Sequence, residues 1–288
     1  MNIFRAYING FKTAGRTWKM VTFMYLCILF LGILLTLPFL GELKRQAGNS
    51  MAVGNLLEGY DHTVFQEFFV DTAMNLGQYI RQGLWAAFLF IFISIFFTGG
   101  ILHIFADKSY PYTIERFFSG CVRFFFRFLK LTLYMMVPIA LLTAIIFLII
   151  FIVSAGSFSN VGSEKSIFFI GLTGLCFWLI IMIYFIVIAD YARFYIVKYE
   201  SQKVFRAIWE STKFVTRRFI FTYSLYLLLL LVPVLLIYIF TLLSNIIGTS
   251  SGLTILGMFI LQQVFIWSRV YTRVWTFAGQ MDYYYSKM

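Results

Sequence analysis

Long apolar runs alternate with short basic stretches along this chain. Six runs reach roughly the 20 apolar residues that a helix needs to cross a bilayer. They are Met20–Leu40, Leu84–Phe105, Leu131–Val153, Ile167–Ala189, Phe221–Leu243 and Gly252–Trp275. The last is the least clean, because it holds Gln262, Gln263, Arg269 and Arg273. Arginines near its inner end are expected to reach toward head groups. Lipid offers unpaired backbone amides no partner, and the runs are too long for barrel strands. The pattern predicts an all-α integral membrane protein with six transmembrane helices.

A second pattern lies in the stretches before the odd-numbered runs. Basic residues recur there with offsets of +7 and +11: Arg5, Lys12, Arg16; Arg116, Arg123, Arg127; Arg206, Lys213, Arg217. At 3.6 residues per turn each triad shares one helix face. An apolar stripe opposes it in every copy. The stripes are Ile3, Tyr7, Phe11, Ala14 and Trp18; Ile114, Phe118, Val122, Phe125 and Leu129; Val204, Ile208, Thr212, Val215 and Phe219. The first and third copies also share Phe4 with Phe205, Ala6 with Ala207, Tyr25 with Tyr226 and Leu26 with Leu227. Each copy reads as a basic amphipathic helix lying at the membrane interface. The chain is then a single membrane domain, 1–288, of three repeats. Each repeat is an interfacial helix followed by a two-span hairpin, in units 1–112, 113–202 and 203–288.

Composition agrees with a membrane chain: 61% of residues are hydrophobic and 12% charged, against about 25% charged in soluble domains. Charge then sets direction. Nineteen of the 23 Lys and Arg residues fall in the terminal segments and in the stretches after spans two and four. The other side holds only Lys44, Arg45, Arg81 and Lys165. The positive-inside bias places both termini in the cytoplasm. The expected location is the cell membrane, as a multi-pass protein of a bacterial inner membrane. The first apolar run reads as a retained span, since its charged lead is long and no small-x-small cleavage site follows it. The net charge of +11 is accounted for by orientation in the bilayer, so nucleic acid is not an expected partner.

Residues 41–81 form the sizeable outer loop. Phe65, Phe68, Phe69, Thr72, Leu76, Tyr79 and Ile80 have helical spacing, which predicts a further interfacial helix there. Little in the chain resembles a catalytic centre. "GTSSG" at 248–252 matches G-x-S-x-G with Ser250 in the nucleophile place, and His62 is a candidate base on the same side. That motif needs a strand-turn-helix elbow, and no strand is expected before it. His103, Asp190, Arg193, Gln262 and Gln263 are the candidate polar site among the spans. Asp190 with Arg193, one turn apart, reads first as a local ion pair, and the two glutamines as hydrogen bonds between helices. Cys27, Cys121 and Cys176 lack metal-site spacing, and no cofactor or metal is expected.

The stretch "ESQKVFRAIWESTKFVTRRF" at 200–219 resembles a segment between spans in several bacterial multi-span families. One is the membrane region of glycerophosphodiester phosphodiesterases. Glu200, Ala207 and Ser211 are the matching positions. The resemblance covers about twenty residues and no soluble phosphodiesterase domain accompanies it. It implies a membrane module, not that activity.

The leading expectation is a non-enzymatic module whose three basic triads engage anionic lipid head groups, or an unidentified protein partner, at the inner leaflet. A transporter or flippase-like permease with a cationic cytoplasmic vestibule is the first alternative. An intramembrane hydrolase is the second.

Overall fold

The computed structural model describes residues 3–47, 73–107, 112–159, 164–247 and 252–288. Among these, all regular structure is α-helical. The helices are α1 (Ile3–Arg16), α2 (Trp18–Ala47), α3 (Ala73–Ala106), α4 (Ile114–Ser159), α5 (Glu164–Tyr199), α6 (Val204–Arg217), α7 (Phe219–Ile247) and α8 (Gly252–Lys287). Six of them, all but α1 and α6, are long and apolar enough to cross a membrane.

The helices run further than the apolar runs alone predict. α2 continues to Ala47 and α3 begins at Ala73, so both ends of the expected loop 41–81 are helical. The middle of that loop, with His62 and the interfacial helix expected around Phe65–Phe69, lies outside the described residues, as does Ser250.

One expectation is corrected outright. The basic stretch 113–130 is not a separate helix. It is the first part of α4, an unbroken helix of 46 residues. In the first and third copies the helix does break, at Thr17 and Arg218. The Thr17 hydroxyl donates to the carbonyls of Thr13 (3.2 Å) and Ala14 (3.1 Å), competing with the helical ladder. At Arg218 the backbone leaves helical geometry (φ −123°, ψ 34°), its N–H still bonding back to Phe214 and Val215. The position in α4 with the same offset from its triad is Phe128. It is apolar and fully buried, so its own side chain offers the backbone no competing bond. At 1.5 Å per residue α4 is about 69 Å long, over twice the about 30 Å bilayer core. A continuous helix therefore still has ample length to carry its basic part beyond hydrocarbon.

The chain separates into two compact units. The first comprises Met1–Phe11, Thr98–Leu228 and Thr276–Met288. Its core is built where helix ends meet the basic stretches. Ala6 of α1, Phe117, Cys121, Phe124 and Phe128 of α4, and Ala207, Phe214 and Val215 of α6 are all buried. So are Tyr191, Phe194 and Ile196 of α5 and Tyr283 and Tyr284 of α8. Tyr191, Phe214 and Tyr284 form an aromatic cluster with centroids 5.0–5.7 Å apart. The end of α3 lies hard against the start of α4. A Cβ on Gly120 would sit 2.4 Å from the His103 Cβ, and one on Gly99 would sit 2.9 Å from the Gly120 carbonyl. Only glycine permits that approach. Further along, α4 and α5 pair through a Trp178 Nε1–H donated to Thr143 Oγ1 at 3.1 Å. Most large apolar residues of that hairpin, such as Phe147, Phe151, Phe168 and Phe177, remain exposed, as lipid-facing positions do.

The second unit comprises Lys12–Phe97 and Leu229–Trp275. Polar bonds between apolar helices hold it. Tyr25 donates to Gln263 Oε1 (2.8 Å), Trp267 Nε1 to Thr22 Oγ1 (3.2 Å), and Gln82 Nε2 to the Leu35 carbonyl (3.1 Å). Phe240 stacks on Phe265 at 4.5 Å. In lipid such bonds and close packing supply the association that water exclusion supplies elsewhere.

Candidate functional site

The three basic triads have different surroundings. Arg5, Lys12 and Arg16 on α1 and Arg206, Lys213 and Arg217 on α6 are exposed, with no ion pair among the described residues. Bulky apolar side chains are exposed beside them: Phe4 (70%) and Ile8 on α1, Phe205 (76%) and Trp209 (65%) on α6.

The triad of α4 is instead engaged by Glu200 and Asp107. Arg123 Nη2 lies 2.5 Å from Glu200 Oε2. Arg127 Nη1 donates to the Glu200 carbonyl at 3.1 Å. Arg116 approaches Asp107 at 3.6 Å. Arg123 and Arg127 also lie 5.8 and 5.6 Å from the Phe124 ring centroid. Glu200 follows the last residue of α5 with φ 49°, the left-handed position where helices commonly end, usually on glycine. A side chain there costs about 1 kcal/mol. The two arginine contacts offset that.

The apolar stripes do not all face outward. Ala14, Val204 and Val215 are buried, while Phe11, Ile114, Val122 and Trp18 are exposed. A neighbouring face forms the core: Ala6, Gly10 and Ala14; Phe117, Cys121 and Phe124; Ala207, Ser211 and Phe214. Small residues such as Ala6, Gly10 and Ser211 carry no strong hydropathy signal, so periodicity alone favours the bulkier stripe.

The residues of the candidate polar site are divided between the two units. Asp190 is buried and pairs with Arg193 at 2.6 Å. His103 packs on α4, its ring 6.0 Å from Phe124, and its electrostatic neighbours are Arg116, Arg123, Asp107 and Glu200. Gln263 accepts from Tyr25 and Gln262 is exposed. Those two glutamines belong to the second unit.

Cavities add residues that the sequence reading did not select. In the first unit a groove of about 780 Å³ combines Lys130, Lys203 and Arg206 with Tyr134, Phe205 and Trp209. Another of about 770 Å³ runs along Phe4, Phe221 and Leu228 to Arg218 and Lys287. Arg218 and Lys287 also border a pocket of about 310 Å³ with Lys213 and Arg217. The Phe4–Phe205 match was the available signal for the two grooves. In the second unit a cavity of about 350 Å³ is lined by Ile28, Phe90 and Phe97 together with Ser94, Arg269 and Arg273. Arg273 Nη2 donates to Ser94 Oγ at 2.5 Å. Among the described residues no group of three His, Cys, Asp or Glu side chains gathers as a metal site.

Comparison with protein-family models, curated proteins and solved structures found no match to this chain.

Proposed function

We propose that this is a six-span protein of a bacterial inner membrane, with both termini cytoplasmic, acting as a non-enzymatic module that engages anionic lipid at the inner leaflet. The observation that carries the reading is the surface of α1 and α6. Each presents three exposed cations, with no ion pair among the described residues, beside exposed Phe, Ile or Trp, the combination that seats a helix in the head-group layer. Each cation near an anionic leaflet contributes about 1 kcal/mol before screening.

A threefold repeat underlies the reading, and its register supports it. Shifting by 111 and 201 residues relates Arg5 to Arg116 and Arg206. The same shifts relate Ala6 to Phe117 and Ala207, and Gly10 to Cys121 and Ser211, all six buried. They also relate Met24 to Met135 and Leu225, again all buried. The middle copy has Glu115 and Ser119 where the others have Phe4 and Ile8, or Phe205 and Trp209. It is adapted to a neighbour in the protein more than to lipid. The three positions of the local resemblance have physical roles in this scheme: Glu200 binds α4, and Ala207 and Ser211 let α6 pack closely.

The test is flotation of the purified protein, in neutral nanodiscs, with liposomes of phosphatidylcholine alone or with phosphatidylglycerol. Reversing the six cations of α1 and α6 to Glu should abolish the preference for phosphatidylglycerol. An unchanged preference would remove the proposal.

The arginine-bearing cavity of the second unit favours one other reading, a permease or scramblase for an amphiphilic anion. Reconstituted protein should then accelerate dithionite bleaching of inner-leaflet fluorescent lipid, and Arg269→Ala should slow it. No acceleration would dismiss this alternative.

A further inference from the structure

The groove along Phe4 and the pocket around Lys213 meet at two shared residues, Arg218 and Lys287. One end is mostly cationic: Lys213, Arg217, Arg218 and Lys287 line it together with Glu210, Phe214 and Met288. The other end is apolar, along Phe4, Phe221 and Leu228. Each part falls within the about 300–1,000 Å³ typical of small-molecule sites. We infer that this combined site holds one acidic glycerophospholipid, its phosphate among the four cations and an acyl chain along the groove. The inference rests on the lipid-engaging reading and deepens it: the contact is a stoichiometric site as well as a charged surface.

Arg218 is the centre of the argument. It is the residue at which α6 ends and α7 begins. Its guanidinium lies 5.1 Å from the Phe214 ring centroid and interacts with the Tyr283 side chain. Arg218 lines both the groove and the pocket, and a phosphate oxygen is the acceptor a guanidinium fork fits best. Free phosphate would leave the adjoining apolar groove unfilled. An acidic peptide would place polar backbone against Phe221 and Leu228. Only an amphiphilic anion satisfies both ends.

The second groove shares part of its apolar wall with the first by position. Phe205 stands to α6 as Phe4 stands to α1, and Tyr134 to α4 as Ser224 to α7, 90 residues on. Lys130, Lys203 and Arg206 supply the charge there. The correspondence lies in the apolar wall, while each groove takes its cations from different positions.

The experiment is native mass spectrometry of the full-length protein in neutral detergent, titrated with phosphatidylglycerol or phosphatidylcholine. Saturable binding of phosphatidylglycerol is expected. Arg217→Glu with Lys287→Glu, both exposed, should weaken it at least about tenfold, since each reversal replaces attraction by repulsion. Ser224→Trp should weaken it without changing charge, by filling the groove. Inorganic phosphate at millimolar concentration should leave bound lipid in place. Displacement by phosphate or by soluble polyglutamate, or wild-type affinity in Ser224→Trp, would overturn the inference. Undiminished binding in the double reversal, together with lost flotation in the six-fold variant, would overturn the site and leave the surface reading standing. Undiminished behaviour in both would end the two together. Should the double reversal fail to fold, Ser224→Trp alone decides.

Discussion

α4 and α6 begin with the same arrangement of cations and put it to different use. Arg116, Arg123 and Arg127 match Arg206, Lys213 and Arg217 in spacing. On α6 the triad is exposed and has no ion pair among the described residues, and the helix ends after 14 residues. On α4 two of the three cations are tied to Glu200, the third approaches Asp107, and the helix continues for 46 residues. The same charge register can therefore serve a membrane surface or a neighbouring helix end. What decides is whether a carboxylate is delivered opposite it, and whether the residue twelve places after the first cation interrupts the backbone. α1 sides with α6: it breaks at Thr17, and its cations are exposed.

The largest expected effect attacks the side of α4 that packs. Gly120→Val places methyl groups where even a Cβ meets His103 at 2.4 Å. It should destabilise the protein by about 3 kcal/mol, the upper range for overpacking, read as a lowered midpoint in detergent melting. No equivalent loss is expected for Arg206→Val on exposed α6.

Next comes the surface of α1 and α6. Reversing their six cations should weaken binding to phosphatidylglycerol liposomes by at least about a hundredfold at low salt, with the melting midpoint retained. Reversing Arg116, Arg123 and Arg127 should weaken it much less, because those charges already have partners. Equal losses from the two sets would erase the distinction between the helices.

A smaller effect sharpens the pairing. Arg123→Glu should cost about 1 kcal/mol of stability, the ceiling for an exposed pair, and Glu200→Arg in the same chain should recover most of it. A double-mutant cycle measures the coupling. Coupling indistinguishable from zero would mean that Glu200 does not hold α4.

The smallest effect concerns the backbone of Glu200. Glu200→Gly removes left-handed strain worth about 1 kcal/mol and removes the carboxylate together with it. The two should nearly cancel, leaving stability within about 0.5 kcal/mol of the parent. Glu200→Val keeps the strain and loses the pair, so it should be clearly the less stable of the two in the same melting assay.

Much of the architecture was legible along the chain, for a physical reason. Twenty consecutive apolar residues have few ways to satisfy their backbone in lipid, so six membrane-length helices follow from Leu, Ile and Phe content alone. The triads were legible because +7 and +11 return to one helix face. The site was less so. Nothing local joins Phe4 to Ser224 or Lys287, or places Lys130 beside Trp209. Ser211 and Gly10 gave no hint that they face inward, since close packing needs small size and not apolarity.

Hydropathy and charge spacing thus determined that the chain is helical, how many helices are long enough to span a membrane, and which faces carry positive charge. These depend on residues within a few turns of one another. Tertiary structure alone decided which cations are spent on the protein itself. Glu200 lies 77 residues from Arg123, and only folding brings a charge that distant to within 2.5 Å.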